Sequence, residues 1–226
     1  MRYAISLTSI PPRLPRLGPV IEALLAQRPS PEEVFLTLPR RYARFPGRFS
    51  VPSLPRDVRI LWADNDEGPA AKALSAARHL EGSGVRLIYC DDDWIYPKGW
   101  AAALLTDQDQ ATTGQAWDLA RLGRKGTGCD IAQGFAGVCV RPDWLAGPES
   151  TPPDEARAAD DVWLSAVLAH HAIPVKEVKA ASIGLRPAYS DDHGLQDATI
   201  HGRTRDTANR AAAACAEQCF GIWPQL

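Results

Sequence analysis

The stretch Leu87-Ile88-Tyr89-Cys90-Asp91-Asp92-Asp93-Trp94 places three consecutive aspartates directly after an apolar run. The run over residues 85–90 predicts a short strand that is buried on both faces. In parallel α/β sheets, ligands collect outside the carboxyl ends of the strands. The three aspartates therefore stand where such a sheet would bind a ligand.

The electrostatics of this acidic cluster favour a bound divalent cation. Adjacent carboxylates repel one another, and each raises the pKa of its neighbours unless positive charge lies between them. Mg²⁺ and Mn²⁺ prefer hard oxygen ligands, and they typically take one or two protein carboxylates together with phosphate oxygens and water. In an extended segment Asp91 and Asp93 would project to one side and Asp92 to the other. The cluster thus predicts a metal site, with a solvated acidic turn as the alternative.

Apolar runs alternate with helical periodicity over the first half of the chain. Three more runs predict strands, at residues 3–8, 34–38 and 58–63. Apolar side chains recur at helical spacing over residues 17–25 and 69–80. This alternation predicts an α/β fold whose central sheet is mostly parallel and flanked by helices. Because Thr8, Ser9 and Asp64 follow predicted strands, one crevice could gather them with the aspartates.

The second half of the chain is less regular. Residues 111–127 are rich in glycine, threonine and arginine and predict a mobile excursion, whereas residues 131–140 predict a strand interrupted by Gly134 and Gly137. Such glycines mark places where a ligand or another backbone approaches closely. Further segments predict a helix, a strand and a helix, at residues 160–171, 173–178 and 204–220. No repeat or linker divides the chain, which predicts one domain over residues 1–226.

The composition favours a globular protein and argues against several kinds of partner and location. The 226 residues are 45% hydrophobic and 23% charged, as in a globular domain, and the net charge of −2 does not favour nucleic acid or an anionic membrane as a partner. No apolar stretch approaches the roughly 20 residues of a membrane span. The N-terminal apolar run is too short for a signal peptide. Five cysteines without a CxxC pair predict reduced thiols, so we expect a cytoplasmic protein.

The acidic segment, followed by Tyr96-Pro97 and Gly99-Trp100, resembles the Asp-x-Asp region of GT-A fold glycosyltransferases. Four other segments are similar, in the same order, to parts of small bacterial, family 2-like members: Ser6-Leu7-Thr8-Ser9-Ile10-Pro11-Pro12-Arg13, Leu36-Thr37-Leu38-Pro39, Asp66-Glu67-Gly68-Pro69-Ala70-Ala71-Lys72 and Asp160-Asp161-Val162-Trp163-Leu164-Ser165. The resemblance covers residues 2–178. It implies a Rossmann-like GT-A domain with a nucleotide-sugar donor half at 1–110 and an acceptor half at 111–226, which includes a C-terminal lid segment and helix.

The resemblance implies a metal-dependent transfer of a sugar from a nucleotide diphosphate sugar, expected to be a UDP-sugar, to a saccharide or another hydroxyl acceptor. Bacterial polysaccharide biosynthesis is the expected setting. Asp91 and Asp93 are the candidate ligands of Mn²⁺ or Mg²⁺; one of the pair can take the metal while the other accepts a hydrogen bond from a ribose hydroxyl. Asp92 belongs to the same donor site. Some members take a further metal or diphosphate ligand from a histidine near the C-terminus. His193 is expected in that role, with His201 as the alternative.

The family pattern also implies donor contacts. The loop with Thr8, Ser9 and Arg13 would frame the nucleotide base and ribose, although the two hydroxyl residues could simply form a turn. Lys72, one turn into its helix, would contact the donor diphosphate, with a plain surface lysine as the alternative. Asp64 could accept a hydrogen bond from a pyrimidine ring N–H or cap the following turn.

Asp161 is expected to be the general base of an inverting enzyme, where it would accept the proton of the acceptor hydroxyl. Asp160 beside it is more simply a helix-capping carboxylate. A retaining enzyme remains open, because Asp-x-Asp occurs in both classes. The segment Gln133-Gly134-Phe135 could line the acceptor cleft. Tryptophans considered for stacking on a sugar are Trp94, Trp100, Trp144 and Trp163, the last of which has core spacing.

Three other functions are compatible with an acidic cluster at a strand end. A sugar-nucleotide nucleotidyltransferase would need a glycine-rich loop after its first strand, whereas Thr8-Ser9-Ile10-Pro11-Pro12-Arg13 contains no glycine. An aspartyl phosphatase would carry Asp-x-Asp after an early strand and not after the fourth. A non-catalytic sugar-nucleotide binding module would bind donor and metal, and Asp161→Asn would change nothing measurable in it.

Overall fold

The computed structural model of the chain describes residues 1–190 and 204–226. Its strands are β1 (Tyr3–Thr8), β2 (Val34–Pro39), β3 (Val58–Ala63), β4 (Arg86–Cys90), β5 (Trp94–Ile95), β6 (Ala111–Thr113), β7 (Ala116–Trp117), β8 (Ile131–Ala132), β9 (Val138–Val140), β10 (Val175–Glu177) and β11 (Arg186–Pro187). Its α-helices are α1 (Gly18–Leu25), α2 (Ala71–Leu80), α3 (Trp100–Leu104), α4 (Asp160–His170) and α5 (Arg205–Phe220). Short 3₁₀ helices cover Leu14–Arg16, Gly68–Ala70, Leu119–Leu122, Gly134–Ala136, Pro142–Trp144, Pro148–Ser150 and Lys179–Ser182.

Seven strands form the central sheet in the order β10-β6-β9-β4-β1-β2-β3. Every neighbouring pair is parallel except the two that involve β9, which runs antiparallel to β4 and to β6. Two further pairs, β5 with β11 and β7 with β8, form small antiparallel sheets. The α/β prediction with a mostly parallel central sheet is confirmed.

The apolar strands β1, β2 and β4 are buried along almost their whole length. Their side chains alternate between two hydrophobic clusters, since Ala4 and Phe35 belong to one cluster and Ile5 and Leu36 to the other. Helices α2, α4 and α5 cover the first face of the sheet, and α1 and α3 cover the second. This two-sided burial explains why these strands read as continuous apolar runs.

Register places the ends of the central strands side by side. Leu7 of β1 pairs with Cys90 of β4, and Thr8 pairs with Thr37 of β2. The residues that follow β1 and β4, Ser9 and Asp91, therefore leave the sheet at the same edge. Helix α2 packs against these strands through small side chains, of which Ala73, Ala76 and Ala77 are fully buried.

The irregular second half differs from the sequence prediction in two places. The segment at 111–127 is not an excursion throughout, because Ala111–Thr113 is a buried strand of the central sheet and Leu119–Leu122 is a 3₁₀ helix. The segment at 131–140 is not one strand, because the turn at Gly134–Ala136 separates β8 from β9. No helix within residues 1–190 or 204–226 has the length and apolar character to cross a bilayer.

Gly137 ends that turn against a fully buried tryptophan. Its backbone has a φ of +83° and a ψ of 141°, a conformation that residues with side chains rarely adopt. A Cβ there would lie 2.2 Å from Cζ2 of Trp100. The indole Nε1 of Trp100 donates a 2.8 Å hydrogen bond to the carbonyl of Ala136, which fixes the ring beside the glycine.

We expect Gly137→Ala to destabilise the fold by about 3 kcal/mol or more, because backbone strain and overpacking each cost about 1–3 kcal/mol. Urea denaturation measures the change. Gly82→Ala is the matched control: its φ is +69° and no atom lies within 4 Å of the added Cβ. The control should lose only about 1 kcal/mol. Equal losses in the two variants would contradict the packing of Trp100 on Gly137.

Candidate functional site

The three aspartates form a turn at the carboxyl end of β4. The strand ends at Cys90, and Asp92 and Asp93 occupy a turn that leads into β5. The predicted alternation of an extended segment is therefore wrong. Asp92 and Asp93 share one arginine, whereas Asp91 contacts a lysine on the other side.

Asp92 is buried and fully engaged by the loop after β1. Ser9 Oγ donates to Asp92 Oδ2 at 2.5 Å, and Arg13 Nη1 donates to Oδ1 at 2.7 Å. The hydroxyl of Tyr42 donates to the carbonyl of Ser9 at 2.8 Å and holds the loop in place. Burial raises the pKa of Asp92, while Arg13 and Ser9 oppose this rise. The hydrogen bonds from Ser9 and Arg13 to Asp92 therefore hold the acidic turn in place.

Asp93 has one buried carboxylate oxygen to which no residue in the described part of the chain donates a hydrogen bond. Arg13 Nη2 lies 3.2 Å from Oδ2, whereas Oδ1 has no hydrogen-bond partner among the described residues. Burial, and then the charges of Asp91 and Asp92, raise the pKa of Asp93 to about 6. A buried carboxylate oxygen without a partner is costly unless a cation or a donor group reaches it.

Lys72 is a buried cation shared by three carboxylates. Its Nζ lies 2.5 Å from Asp91 Oδ1, 2.8 Å from Asp160 Oδ2 and 3.8 Å from Asp161 Oδ1. Burial alone lowers its pKa, but the charges of Asp160, Asp91 and Asp161 raise it well above the usual value. The alternative of a plain surface lysine is wrong, because only 4% of the side chain is exposed.

Asp161 stands at the start of α4 with its two oxygens in different surroundings. Oδ1 accepts a 3.0 Å hydrogen bond from the backbone N–H of Gly134, and Oδ2 lies 3.7 Å from Arg205 Nη2. Burial, together with the charge of Asp160, raises the pKa of Asp161 to about 7, although Lys72 opposes the rise. A carboxylate that titrates near neutrality is suited to taking up a proton.

Gly134 allows these groups to meet. A Cβ at this position would lie 2.3 Å from Lys72 Nζ and 3.0 Å from Asp161 Oδ1. The sequence predicted a close approach by a ligand or a backbone here. The approaching groups are instead two side chains, and the Gly134 N–H itself orients Asp161.

A cleft of about 260 Å³ opens on the Arg205 side of Asp161. Its walls come from the 3₁₀ helix Leu119–Leu122, from Gln133 and from the first turns of α5. Gln133, which the sequence analysis considered for the lining of an acceptor cleft, lines this cleft together with Asp161. Phe135 instead packs against Trp94, with ring centroids 4.9 Å apart.

Thr8 and Asp64 lie at the ends of β1 and β3, at the same edge of the sheet as the acidic turn, but within the described residues neither makes a hydrogen bond to the three aspartates. Thr8 Oγ1 donates to the carbonyl of Thr37 at 2.8 Å, which is a structural contact at the strand end. Asp64 is exposed at the end of the edge strand β3. The turn-capping role falls to Asp66, which accepts from the N–H groups of Ala43 and Gly68. Predicted residues outside the described part of the chain are His193 and His201.

The tryptophans considered for sugar stacking are mostly structural. Trp100 and Trp163 are fully buried, and Trp163 Nε1 donates to the carbonyl of Ser150. Trp144 lies under the guanidinium groups of two arginines. The tryptophan that lines the cleft beside Asp161 is Trp117, in the segment that was predicted to be irregular.

Sequence reasoning missed three contributors to the site. Asp160 is an ion-pair partner of Lys72 and not only a helix cap. The hydroxyl of Tyr96 donates to the carbonyl of Asp91 at 3.0 Å and accepts from its N–H at 3.1 Å. Arg121 lines the cleft. Only Tyr96 could have been proposed from the sequence, because it lies three positions after Asp93. The roles of Asp160 and Arg121 depend on contacts between distant parts of the chain.

The donor set fits a cation that is shared with a ligand, and not a cage built by protein alone. Within residues 1–190 and 204–226, no group of three or more histidines, cysteines or acidic residues is arranged to hold a metal ion. Asp93 Oδ1 and the half-exposed Asp91 can supply one or two carboxylate oxygens. Mg²⁺ usually needs no more than this when phosphate oxygens complete its shell. Arg13 and Lys72 form ion pairs with Asp92 and Asp91 and so compensate part of the negative charge of the acidic turn. A metal ion would therefore not be the only positive charge at this turn.

Comparisons with known proteins find no family model and no curated protein that matches the chain. Among the solved structures that are similar are the galactosyltransferase LgtC in complex with donor and acceptor sugar analogues and an active-site mutant of LgtC. Each is 10% identical with a TM-score of 0.41; they cover 63% and 64% of this chain. The chain spans 58% and 59% of their lengths. So distant a likeness leaves the activity to be argued from the chain's own site.

The raised pKa of Asp161 predicts that the free energy of unfolding falls as the pH rises towards neutrality. A group whose folded pKa exceeds its unfolded value contributes stability that is complete below the unfolded pKa, about 4, and is lost as the pH rises through the folded value, about 7. Asp161→Asn removes this loss. Relative to the wild type, the variant should gain about 2 kcal/mol or more between pH 5 and pH 8.

Urea denaturation at the two pH values measures this difference. Asp154→Asn serves as the control, because the Asp154 side chain is 92% exposed and should show no such pH dependence. The assignment of a raised pKa to Asp161 fails if the two variants respond to pH alike.

Proposed function

We propose that the chain is a metal-dependent glycosyltransferase, which moves a sugar from a nucleotide diphosphate sugar, a UDP-sugar in the first instance, to a hydroxyl of a saccharide or another acceptor. The observation that carries the proposal is the Lys72 ammonium, which joins Asp91 at the end of β4 to Asp161 at the start of α4. This contact supports the proposal, because a metal bound at Asp91 and a proton acceptor at Asp161 would then lie close to one another. Residues 1–110 would supply the donor half and residues 111–226 the acceptor half, and the free cysteines suit a cytoplasmic setting.

The donor half would hold the diphosphate through the acidic turn. Asp91 and Asp93 would bind Mn²⁺ or Mg²⁺, with His193 as a further ligand; the bound ion would neutralise the charge that develops on the leaving diphosphate. Arg13 and Ser9 keep the turn in place by engaging Asp92.

Other donor contacts would come from neighbouring strand ends. Asp64 is exposed, and its carboxylate makes no hydrogen bond within the described residues, so it is available to a pyrimidine N–H. Thr8, Ser9 and Arg13 would border the base and ribose. Lys72 would act on the diphosphate as a fixed positive charge at short range, since three carboxylates already hold its ammonium.

Asp161 would act as the general base. The Gly134 N–H holds Oδ1, which leaves Oδ2 for the acceptor hydroxyl on the cleft side. As the hydroxyl oxygen forms its bond to the anomeric carbon, its proton passes to Asp161 and the bond to the diphosphate breaks. A single displacement of this kind inverts the anomeric centre. A pKa of about 7 leaves much of Asp161 ionised at neutral pH and strong enough as a base to take the proton.

Metal-bridged donor binding predicts a synergy in thermal stability. UDP at about 100 times its Kd stabilises by about 2.7 kcal/mol, which corresponds to about 5–10 °C in Tm for a chain of this size. UDP with Mn²⁺ should give this shift, and UDP with a chelator much less. Asp93→Ala should abolish the metal-dependent part, whereas Asp57→Ala, an exposed carboxylate, should retain it. Equal shifts with and without metal would count against bridging.

Asp161→Asn should lower the rate of sugar transfer by about 10²–10⁴-fold, because it removes a general base. Its affinity for UDP, measured by titration calorimetry, should stay within about threefold of the wild type, since Asn still accepts from the Gly134 N–H. Turnover of a UDP-sugar with Mn²⁺, followed by UDP release, gives the rate. A large loss of UDP affinity would instead make Asp161 a structural residue, and an unchanged rate would contradict its role as the base. Tight UDP binding by a wild-type protein that shows no turnover would favour a binding module.

A further inference from the structure

The cleft beside Asp161 has an unusual distribution of charge. We call it the basic cleft; its lining residues are Trp117, Arg121, Leu122, Gln133, Asp161, Val162, Arg205, Asp206 and Asn209. Its volume of about 260 Å³ lies just below the usual range for small-molecule sites.

Two arginines of the basic cleft have unused hydrogen-bonding capacity. Arg121 makes no ion pair within the described residues, and its guanidinium carbon lies 5.8 Å from the centre of the Trp117 ring. The contact of Arg205 with Asp161 is 3.7 Å long, beyond hydrogen-bond distance. The other carboxylate, Asp206, is already neutralised by Arg210 at 2.8 Å. Of the two carboxylates among the described lining residues, Asp161 alone is left to balance the guanidinium groups of Arg121 and Arg205.

The basic cleft also offers groups that recognise hydroxyls. Asn209 Oδ1 is buried and has no hydrogen-bond partner among the described residues. Gln133 contributes a second amide to the lining. Unpaired buried amide oxygens are uncommon, and they are satisfied when a ligand hydroxyl donates to them. A ligand that combines an anionic group with hydroxyls matches both features.

Asp161 separates the basic cleft from the acidic turn. Its Oδ1 is held on the inner side by the Gly134 N–H, with Lys72 nearby, while Oδ2 lies on the side of Arg205. A hydroxyl bound in the cleft would therefore lie on the side of Oδ2. This step rests on the proposed function, since it takes Asp161 as the base.

We propose that the basic cleft is the acceptor subsite and that it selects an anionic acceptor: a sugar that carries a carboxylate or a phosphate, bound by Arg121 and Arg205. Guanidinium groups bind both anions in a forked geometry, and hydrogen bonds to charged groups contribute about 1.5–3 kcal/mol each. The anion would lie at the mouth of the cleft, with one acceptor hydroxyl directed to Asp161.

The test measures ligand binding directly, by ligand-observed NMR titration without donor. The probes are methyl glucoside, methyl glucuronide and glucose 6-phosphate. The two charged probes, or one of them, should bind at least about tenfold more tightly than the neutral probe. Preference for the glucuronide identifies a carboxylate as the acceptor's anion, and preference for the phosphate identifies a phosphate. Equal affinities for all three, or no binding of either charged probe, would overturn the proposal.

Variants locate the binding to the cleft. Arg121→Gln and Arg205→Gln should each weaken the charged probe about tenfold and leave the neutral probe unchanged. Arg121 is exposed, so its variant should fold normally, which its Tm verifies. Arg56→Gln removes the same charge from an exposed site just before β3, at the opposite edge of the sheet, and should change nothing. Unchanged binding in both cleft variants would place the anion elsewhere and refute the assignment.

Two measurements on the wild-type protein, the Tm shift with UDP and Mn²⁺ and the binding of the charged probes, distinguish this inference from the proposed function. If UDP with Mn²⁺ raises the Tm but charged probes show no preference, the inference fails and the proposed function stands. If the charged probes bind through Arg121 and UDP gives no shift, the cleft is an anion-binding sugar site and the glycosyltransferase proposal fails.

Discussion

The site depends on a buried positive charge that three carboxylates share. Lys72 projects from the first turn of α2 and ties the end of β4, at Asp91, to the start of α4, at Asp160 and Asp161. A buried ammonium is tolerated only when it is paired, and loss of one partner of such a pair typically costs about 3–5 kcal/mol. The network leaves no room for a side chain at Gly134, whose N–H orients Asp161. The ion pairs of this one lysine thus fix the end of β4 against the start of α4.

A second cation explains how the acidic turn can exist at all. Arg13 lies against Asp92 and Asp93, so the chain itself provides part of the charge that a divalent ion would otherwise have to supply. What remains uncompensated is specific: Asp93 Oδ1, buried and without a partner in the described residues. Asp93 Oδ1 is therefore the atom of the acidic turn at which a bound cation or a donor group would supply the missing partner.

The sequence predicted the sheet well because β1, β2 and β4 are buried on both faces and read as unbroken apolar runs. It also predicted that Ser9 and Asp91–Asp93 come together, because strand ends meet at one edge, and Ser9 does contact Asp92. Thr8 and Asp64 were expected there by the same argument, whereas Arg13 was expected only from the family resemblance. It failed where short elements depend on tertiary contacts, as in the three-residue strand Ala111–Thr113. The pairing of Asp160 with Lys72 was equally out of reach, since 88 positions separate the two residues and no local pattern links them.

The position of a bound metal tests the central claim most directly. A crystal grown with UDP and Mn²⁺, measured at the manganese absorption edge, would reveal the ion by its anomalous scattering. The account predicts one strong anomalous peak, at a manganese ion that Asp93 and the UDP diphosphate coordinate. Lys72 should still lie between Asp91 and Asp161. A UDP-bound crystal in which manganese is absent from the acidic turn, or is coordinated elsewhere, would contradict it.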